Sequence, residues 1–169
     1  MFNIGDTVIY ATQGICKIEE KIQKELKGKM TEYFVLRPIY EKSSTIFLPL
    51  ENATLMSRLR SILSKDEIIN IIKTIPSKET IWIENENLRK TKYGEIIVRG
   101  EPTELIQLIK TLFLHEKKQK ERGRKFHLTD EAFLKDAEKI LYDEFAYVLN
   151  IKKDEVVPFI SEQLKKLEH

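Results

Sequence analysis

The hydrophobic and polar positions near the N-terminus alternate in short runs, as they do in half-buried strands. We predict strands at residues 6–10, 15–18, 31–36 and 45–48. Turn signals separate these runs, namely Gly14, Lys27-Gly28-Lys29 and Ser43-Ser44. Four short strands within about fifty residues favour a small antiparallel β-barrel or a strongly bent sheet, and closure into a barrel would hide strand edges that a short open sheet would expose.

From residue 64 the apolar positions follow the period of amphipathic helices. Ser64 and Glu67 have capping-box spacing and begin a helix that Pro76 stops. We predict further helices over 84–98 before Gly100, from Pro102 to Gly123, from a Thr129 cap to Val148, and over 154–166. The fold class is therefore α+β, with a β domain at 1–55 and an all-α bundle of about five helices at 56–166. Residues 167–169 are interpreted as the remnant of an expression tag.

Charge is distributed unevenly along the chain. The whole sequence has 29 Lys+Arg and 27 Asp+Glu, for a formal net charge of +2. Positive and negative side chains balance over residues 1–88, whereas residues 89–125 carry a net charge of +6 and residues 126–169 one of −4. Such a basic block is either a solvated helix surface or a surface that meets phosphates.

Several functional classes lack the residues that they need. No apolar run approaches the roughly 20 residues of a membrane span, and the N-terminus lacks the pattern of a signal peptide, so we expect a cytoplasmic protein. The single cysteine, Cys16, excludes an internal disulfide and a cysteine-based zinc site. The sequence shows neither paired histidines at metal-binding spacing nor a Gly-rich phosphate loop. We expect a binding protein without catalytic residues, metal or cofactor.

Trp82 is the only tryptophan of the chain. A lone tryptophan is either a core residue or an aromatic that packs against another macromolecule. Because Arg89, Lys90 and Lys92 follow it, the second interpretation suits DNA, with cations on the phosphates and an apolar wedge in the minor groove.

The order and spacing of several motifs resemble those of the CarD/CdnL-like transcription regulators. In the first half these motifs are Phe2-x-x-Gly5-Asp6-x-Val8-x-Tyr10, Gly14, the Gly28…Tyr33-Phe34-Val35-Leu36 segment and Ile46-x-Leu48-Pro49. In the second half they are a capped helix, Trp82, the Gly100-Glu101 break, an apolar helix and a helix with Phe133, Ala137, Ile140 and Leu141. The similarity covers nearly the whole chain, from residue 1 to about residue 164.

This resemblance implies that a Tudor-like N-terminal domain docks on the β subunit of bacterial RNA polymerase. It also implies that the helical domain contacts promoter DNA at the upstream edge of the transcription bubble. There Trp82 would wedge into the minor groove and stabilise the open complex without reading sequence. The implied polymerase-binding residues are Lys24, Ile46, Phe47 and Pro49. The candidate DNA-binding residues are Trp82, Arg89, Lys90, Lys92, Arg99, Lys117, Lys118, Lys120, Arg122, Arg124 and Lys125.

Three other interpretations stay open. The chain could be a polymerase-binding adaptor whose helical domain recruits a protein instead of DNA. A small enzyme would need a polar pocket that the sequence does not announce, and a membrane-surface role lacks aromatic anchors on the basic helix. We expect a monomer that reaches the nucleoid through RNA polymerase.

Overall fold

The computed structural model describes residues 1–168. The chain folds into two compact units, of which the first comprises Met1–Ile62 and the second begins at Leu63. The predicted β domain, 1–55, ends before a short strand at residues 59–61 that belongs to the first unit. Within the described residues, no helix has the length and apolar character that a membrane span requires.

The first unit is a five-stranded antiparallel sheet with the strand order β4-β3-β2-β1-β5. Its strands are β1 (Thr7–Tyr10), β2 (Gly14–Leu26), β3 (Lys29–Pro38), β4 (Ile46–Pro49) and β5 (Leu59–Ser61), with one short helix, α1 (Ala53–Met56), before β5. β2 and β3 form a long hairpin that turns at Lys27 and Gly28, both of which have positive φ. The predicted strand at 15–18 is therefore only the beginning of β2.

The predicted closed barrel is wrong, because the sheet is open. β4 and β5 are its two edges, and in the part of the chain that the structure describes they do not pair with each other. β5 pairs with β1 through Val8–Ser61, Ile9–Arg60 and Tyr10–Leu59, so it extends the sheet at the edge opposite β4. The edge strands are only four and three residues long, and short edge strands are one way in which an open sheet limits edge-to-edge association.

One face of the sheet carries the apolar core of the first unit. Val8, Cys16, Ile18, Leu36 and Leu48 are almost completely buried there. Because side chains alternate along a strand, the residues between them lie on the opposite face, which we call the outer face. A register shift between Ile18 and Glu20 lets the exposed half of β2 continue in pairing with β3.

Over its described residues, 63–168, the second unit consists of five α-helices, as the period of the apolar residues predicted. They are α2 (Lys65–Thr74), α3 (Glu86–Arg99), α4 (Pro102–Glu121), α5 (Leu128–Leu149) and α6 (Val156–Leu167). Their facing sides form one apolar core that includes Ile72, Tyr93, Leu108, Leu141 and Phe145.

Most of the predicted helix ends are confirmed. The Ser64 side chain accepts a hydrogen bond from the backbone N–H of Glu67, and Gly100 ends α3 in the left-handed conformation. Thr129 does not cap α5, because the helix already begins at Leu128. Of the predicted tag remnant, Leu167 ends α6, and residue 169 lies outside the described residues.

Candidate functional site

The outer face of the first unit brings together three of the four predicted polymerase-binding residues. The strand register places Lys24 opposite Thr31, Phe47 opposite Val35, and Pro49 opposite Tyr33, all on this face. The Lys24 ammonium lies 3.9 Å from the centre of the Phe47 ring, and Phe47 remains 46% exposed. Exposed aromatic rings are enriched in protein-binding surfaces.

Ile46 does not belong to this surface. It pairs with Leu36 in the register and packs, partly buried, against the core on the other face. Adjacent residues of a strand point to opposite sides, so Ile46 and Phe47 lie on different faces of the sheet. Ile46 is therefore corrected to a core residue.

Two outer-face residues were missed by sequence reasoning. Ile22 and Tyr33 are directly opposite each other in the pairing of β2 and β3, and both are half-buried. The sequence could have indicated Tyr33, because it is next to Phe34 in a predicted strand whose core side is apolar, and adjacent residues of a strand face opposite sides. Ile22 lies in the part of β2 that the sequence left outside a strand. Together with Lys24, Phe47 and Pro49, these two residues define the outer-face patch.

In the second unit, Trp82 lies in the extended segment that precedes α3, and other side chains hold its indole ring. The His115 ring of α4 stacks on it with 3.6 Å between ring centres and 15° between ring planes. The Arg89 guanidinium lies 4.5 Å from the indole centre. The indole Nε1–H donates a hydrogen bond to the Glu84 carboxylate at 3.1 Å. The ring is thus fixed in position and orientation.

The backbone around Trp82 is fixed by three hydrogen bonds to side chains of α3 and α4. The Ile81 N–H donates to the Thr111 hydroxyl at 3.0 Å, and the Tyr93 hydroxyl donates to the Ile81 carbonyl at 2.9 Å. The Arg89 guanidinium donates to the Ile83 carbonyl at 2.9 Å. Burial raises the pKa of Tyr93 to about 12, so its hydroxyl keeps the proton that it donates.

Arg89 is a buried structural residue, which corrects its prediction as a phosphate contact. Its Nε donates to the Asp130 carboxylate at 2.9 Å, and the side chains of the pair are only 7% and 1% exposed. A second guanidinium nitrogen donates to the other Asp130 oxygen at 3.3 Å. The buried carboxylate and the backbone carbonyls of Ile83 and Glu84 use four of the five N–H donors of this side chain, which burial keeps away from solvent.

A polar cavity of about 260 Å³ lies beside Trp82. Lys118 and Arg122 line it together with Trp82, Glu84 and His115, and both cations are exposed. His115, Lys118 and Arg122 follow one another at helical spacing, so they share one side of α4. This cavity unites Trp82 with two of the predicted DNA-binding cations; Thr80, Thr111 and Leu114 complete its lining.

The electrostatic surroundings of His115 favour its neutral form. Burial lowers the pKa of the imidazole, and the positive charges of Arg89 and His127 act in the same direction. The carboxylates of Asp130 and Glu84 oppose this shift. A neutral imidazole stacks on the indole without adding a charge beside Arg89.

The other basic residues of α3, which are Lys90, Lys92 and Arg99, do not line this cavity. Lys90 pairs with Glu86 at 3.3 Å, and Lys92 approaches Glu95 at 3.8 Å, both within α3. Arg99 binds Glu104 with a closest N–O distance of 2.7 Å, and this contact lowers the pKa of the Glu104 carboxyl.

Basic side chains that have no acidic partner within the described chain lie at the end of α4 and directly after it. Lys120 makes a loose pair with Glu116 at 3.7 Å. Among residues 1–168, no acidic side chain forms an ion pair with the remaining cations of this region, and all of them are exposed. We call these residues the α4 basic cluster; they are Lys117, Lys118, Arg122, Arg124 and Lys125.

Residues 2–60 match the family model of the CarD-like/TRCF RID domain. The match confirms the CarD-like part of the resemblance and covers almost all of the first unit, whereas the second unit lies beyond it. A CarD-like RID domain is an RNA polymerase-interacting domain, which supports a transcription-associated, polymerase-binding role for this unit.

Proposed function

We propose that this chain, whose residues 2–60 form a CarD-like RNA polymerase-interacting domain, is a bacterial transcription regulator that stabilises the promoter open complex. In this proposal the first unit docks on the polymerase β subunit and the second unit holds DNA at the upstream edge of the bubble. The protein acts in the cytoplasm and reaches the nucleoid through polymerase.

The outer-face patch supports the docking half of the proposal. It offers an exposed aromatic ring at Phe47, a cation at Lys24 and half-buried apolar side chains around them. Interfaces are enriched in aromatic residues, and a ring at the centre of a patch commonly carries much of the binding energy.

The cavity beside Trp82 is the main observation that supports DNA binding by the second unit. Trp82, Lys118 and Arg122 line the same cavity, so an apolar wedge and two cations can meet one stretch of DNA. His115 already occupies a face of the indole, and we therefore expect the edge of the ring to enter the minor groove. The cations then hold the adjacent phosphates.

Weak DNA binding is sufficient for this role. Docking on polymerase makes the DNA contact effectively intramolecular, and the effective concentration compensates for modest intrinsic affinity. Backbone contacts and the ease of deforming a melted junction require no base readout. We accordingly expect an effect on the lifetime of open complexes, without selection of promoters by sequence.

Salt-dependent binding to a forked promoter fragment tests the DNA half. Lys118→Ala/Arg122→Ala should lower the slope of log K against log salt concentration by about 2, because each phosphate contact contributes about 0.9. Lys90→Ala/Lys92→Ala removes the same charge from ion-paired positions and should leave the slope nearly unchanged. Equal losses for the two variants would contradict the assignment. Failure of the full chain to bind the fork, free or on polymerase, would favour the protein-recruiting adaptor.

A further inference from the structure

An apolar groove of about 390 Å³ opens between α4, α5 and α6 on the surface of the second unit. Its lining includes Phe113 on α4, Tyr142 on α5 and Val157 on α6. Phe113 is 59% exposed and Val157 is 54% exposed. Large apolar side chains that converge in a groove on a soluble domain indicate an interaction site more often than scattered single ones do.

This groove is separate from the cavity beside Trp82. Ile106, Ile109 and Phe113 line the groove, whereas His115, Lys118 and Arg122 point to the cavity from another side of α4. Leu114 lies between the two and touches both. A partner in the groove would therefore leave the α4 basic cluster accessible.

The groove contains an acidic group without a partner. Glu138 is half-buried in its lining, and no side chain of residues 1–168 forms an ion pair or hydrogen bond with it. Burial raises the pKa of its carboxyl, and the nearby Glu116 carboxylate adds to this shift.

Lys110, the cation of the groove, does not form an ion pair with Glu138. Its ammonium donates to the carbonyl oxygens of Ile75 and Lys78 at 2.7 Å and to that of Pro76 at 3.2 Å. These three acceptors use all the donors of the ammonium. The groove thus presents an apolar surface with one uncompensated acidic position.

We propose that the groove binds an amphipathic helix of a partner protein, with apolar side chains against Phe113 and Val157 and a lysine or arginine paired with Glu138. A helix supplies apolar positions at i, i+3/i+4 and i+7 with a basic residue beside them, as helix-in-groove complexes require. The unpaired Glu138 carboxylate selects this basic partner by charge complementarity.

The same charge argues against other occupants. A two-fold dimer of this chain through the groove would place two Glu138 carboxylates in one interface without supplying a cation for either, and unpaired like charges in an interface are unfavourable. DNA and anionic lipid surfaces carry the same sign as Glu138 and are disfavoured as well.

Selection from a helical peptide library displayed on a fixed scaffold, with the full chain as target, tests the inference without polymerase or DNA. Binders should converge on apolar residues at helical spacing with lysine or arginine at one flanking position. Phe113→Ser should weaken the selected peptides by about 10-fold or more. Leu128→Ser, which removes an apolar side chain 82% exposed and outside the groove, is the control and should leave binding unchanged.

The charge requirement is tested on one selected peptide and its lysine-to-glutamine counterpart. Wild-type protein should prefer the lysine peptide by about 5-fold, and Glu138→Gln should abolish the preference. Binders that do not respond to Phe113→Ser, or that show no basic preference, would overturn the proposal. Concentration-dependent dimers of the wild-type protein that Phe113→Ser makes monomeric would also overturn the proposal, since a second copy of the chain would then occupy the groove. Each outcome is independent of DNA binding and of the proposed function.

Discussion

Removing the Arg89 side chain tests how the second unit holds Trp82. Arg89→Ala deletes a buried ion pair with Asp130, a hydrogen bond to the Ile83 carbonyl and the contact over the indole ring. The Asp130 carboxylate, only 1% exposed, is then left in the core without its cation. We expect a large loss of stability from a residue that sequence reasoning assigned to the surface.

The magnitude follows from the burial of the pair. Breaking a buried ion pair by removing one partner costs about 3–5 kcal/mol, because a desolvated charge remains. Asp130 lies in the first turn of α5, where the helix dipole favours a carboxylate, so the lower end of that range applies. We expect the free energy of unfolding of the second unit to fall by about 3 kcal/mol.

Urea denaturation followed by tryptophan fluorescence measures this loss. Trp82 is the only tryptophan and belongs to the same unit as Arg89, so its emission follows the unfolding of that unit. For a slope of about 2 kcal/mol per M, the midpoint should fall by about 1.5 M. Lys90→Ala removes a neighbouring exposed cation with a surface pair and should change the free energy by less than about 1 kcal/mol.

A double-mutant cycle decides whether the ion pair is the cause. Arg89→Ala/Asp130→Ala removes both charges and should be more stable than the sum of the two single losses predicts. A loss below about 1 kcal/mol for Arg89→Ala would refute the reasoning. So would a double variant whose loss equals that sum.

Three further predictions have defined outcomes. Glu84→Gln removes the negative charge at the cavity while its amide oxygen still accepts from the Trp82 indole, so binding to a forked promoter should tighten by about 2- to 5-fold; weaker binding contradicts this. Phe47→Ala should weaken capture of a polymerase β-lobe fragment about 10-fold without changing the urea midpoint of the first unit, followed by far-UV circular dichroism. Ile46→Ala should lower that midpoint with a smaller loss of affinity; the reverse pattern would contradict the strand register. The folded-state pKa of His115 lies below its ordinary 6.5, so the unfolded chain binds the proton first and stability falls as pH drops from about 6.5 toward the folded-state pKa. His115→Phe should show a smaller fall between pH 7.5 and 5, and an identical profile would exclude His115 as the source.

Local signals in the sequence predicted the helical unit well. The Ser64 cap and the Gly100 stop depend on neighbours within four residues, and both lie where the pattern placed them. The α4 face that carries Lys118 and Arg122 also follows from helical spacing alone. Helical spacing does not show which residue of another helix a side chain contacts.

The role of Arg89 depends on a residue far away in sequence. Asp130 follows it by 41 positions and reaches it only because α3 and α5 pack together. In the sequence Arg89 has the same appearance as Lys90 and Lys92, which are exposed. Burial, rather than residue type, separates a residue that positions Trp82 from the solvated cations beside it.

The register of strand pairing likewise shows which residues face the core, which the alternation of apolar and polar residues along the sequence could not show. The segment with Ile46 and Phe47 is a strand as predicted, but only the register with β3 shows which residue faces the core. The prediction of a closed barrel required the two edges of the sheet to pair with each other. β5 pairs with β1, and the sheet stays open. This pairing comes from a strand of only three residues with one buried side chain.

The lifetime of open complexes after a competitor challenge tests the central claim most directly. Purified polymerase is measured with the wild-type protein, with Trp82→Ala and with Lys24→Glu. We predict that the wild type prolongs the lifetime, that Trp82→Ala binds polymerase without prolonging it, and that Lys24→Glu acts only at higher protein concentration. A Trp82→Ala variant that prolongs the lifetime as the wild type does would contradict the account.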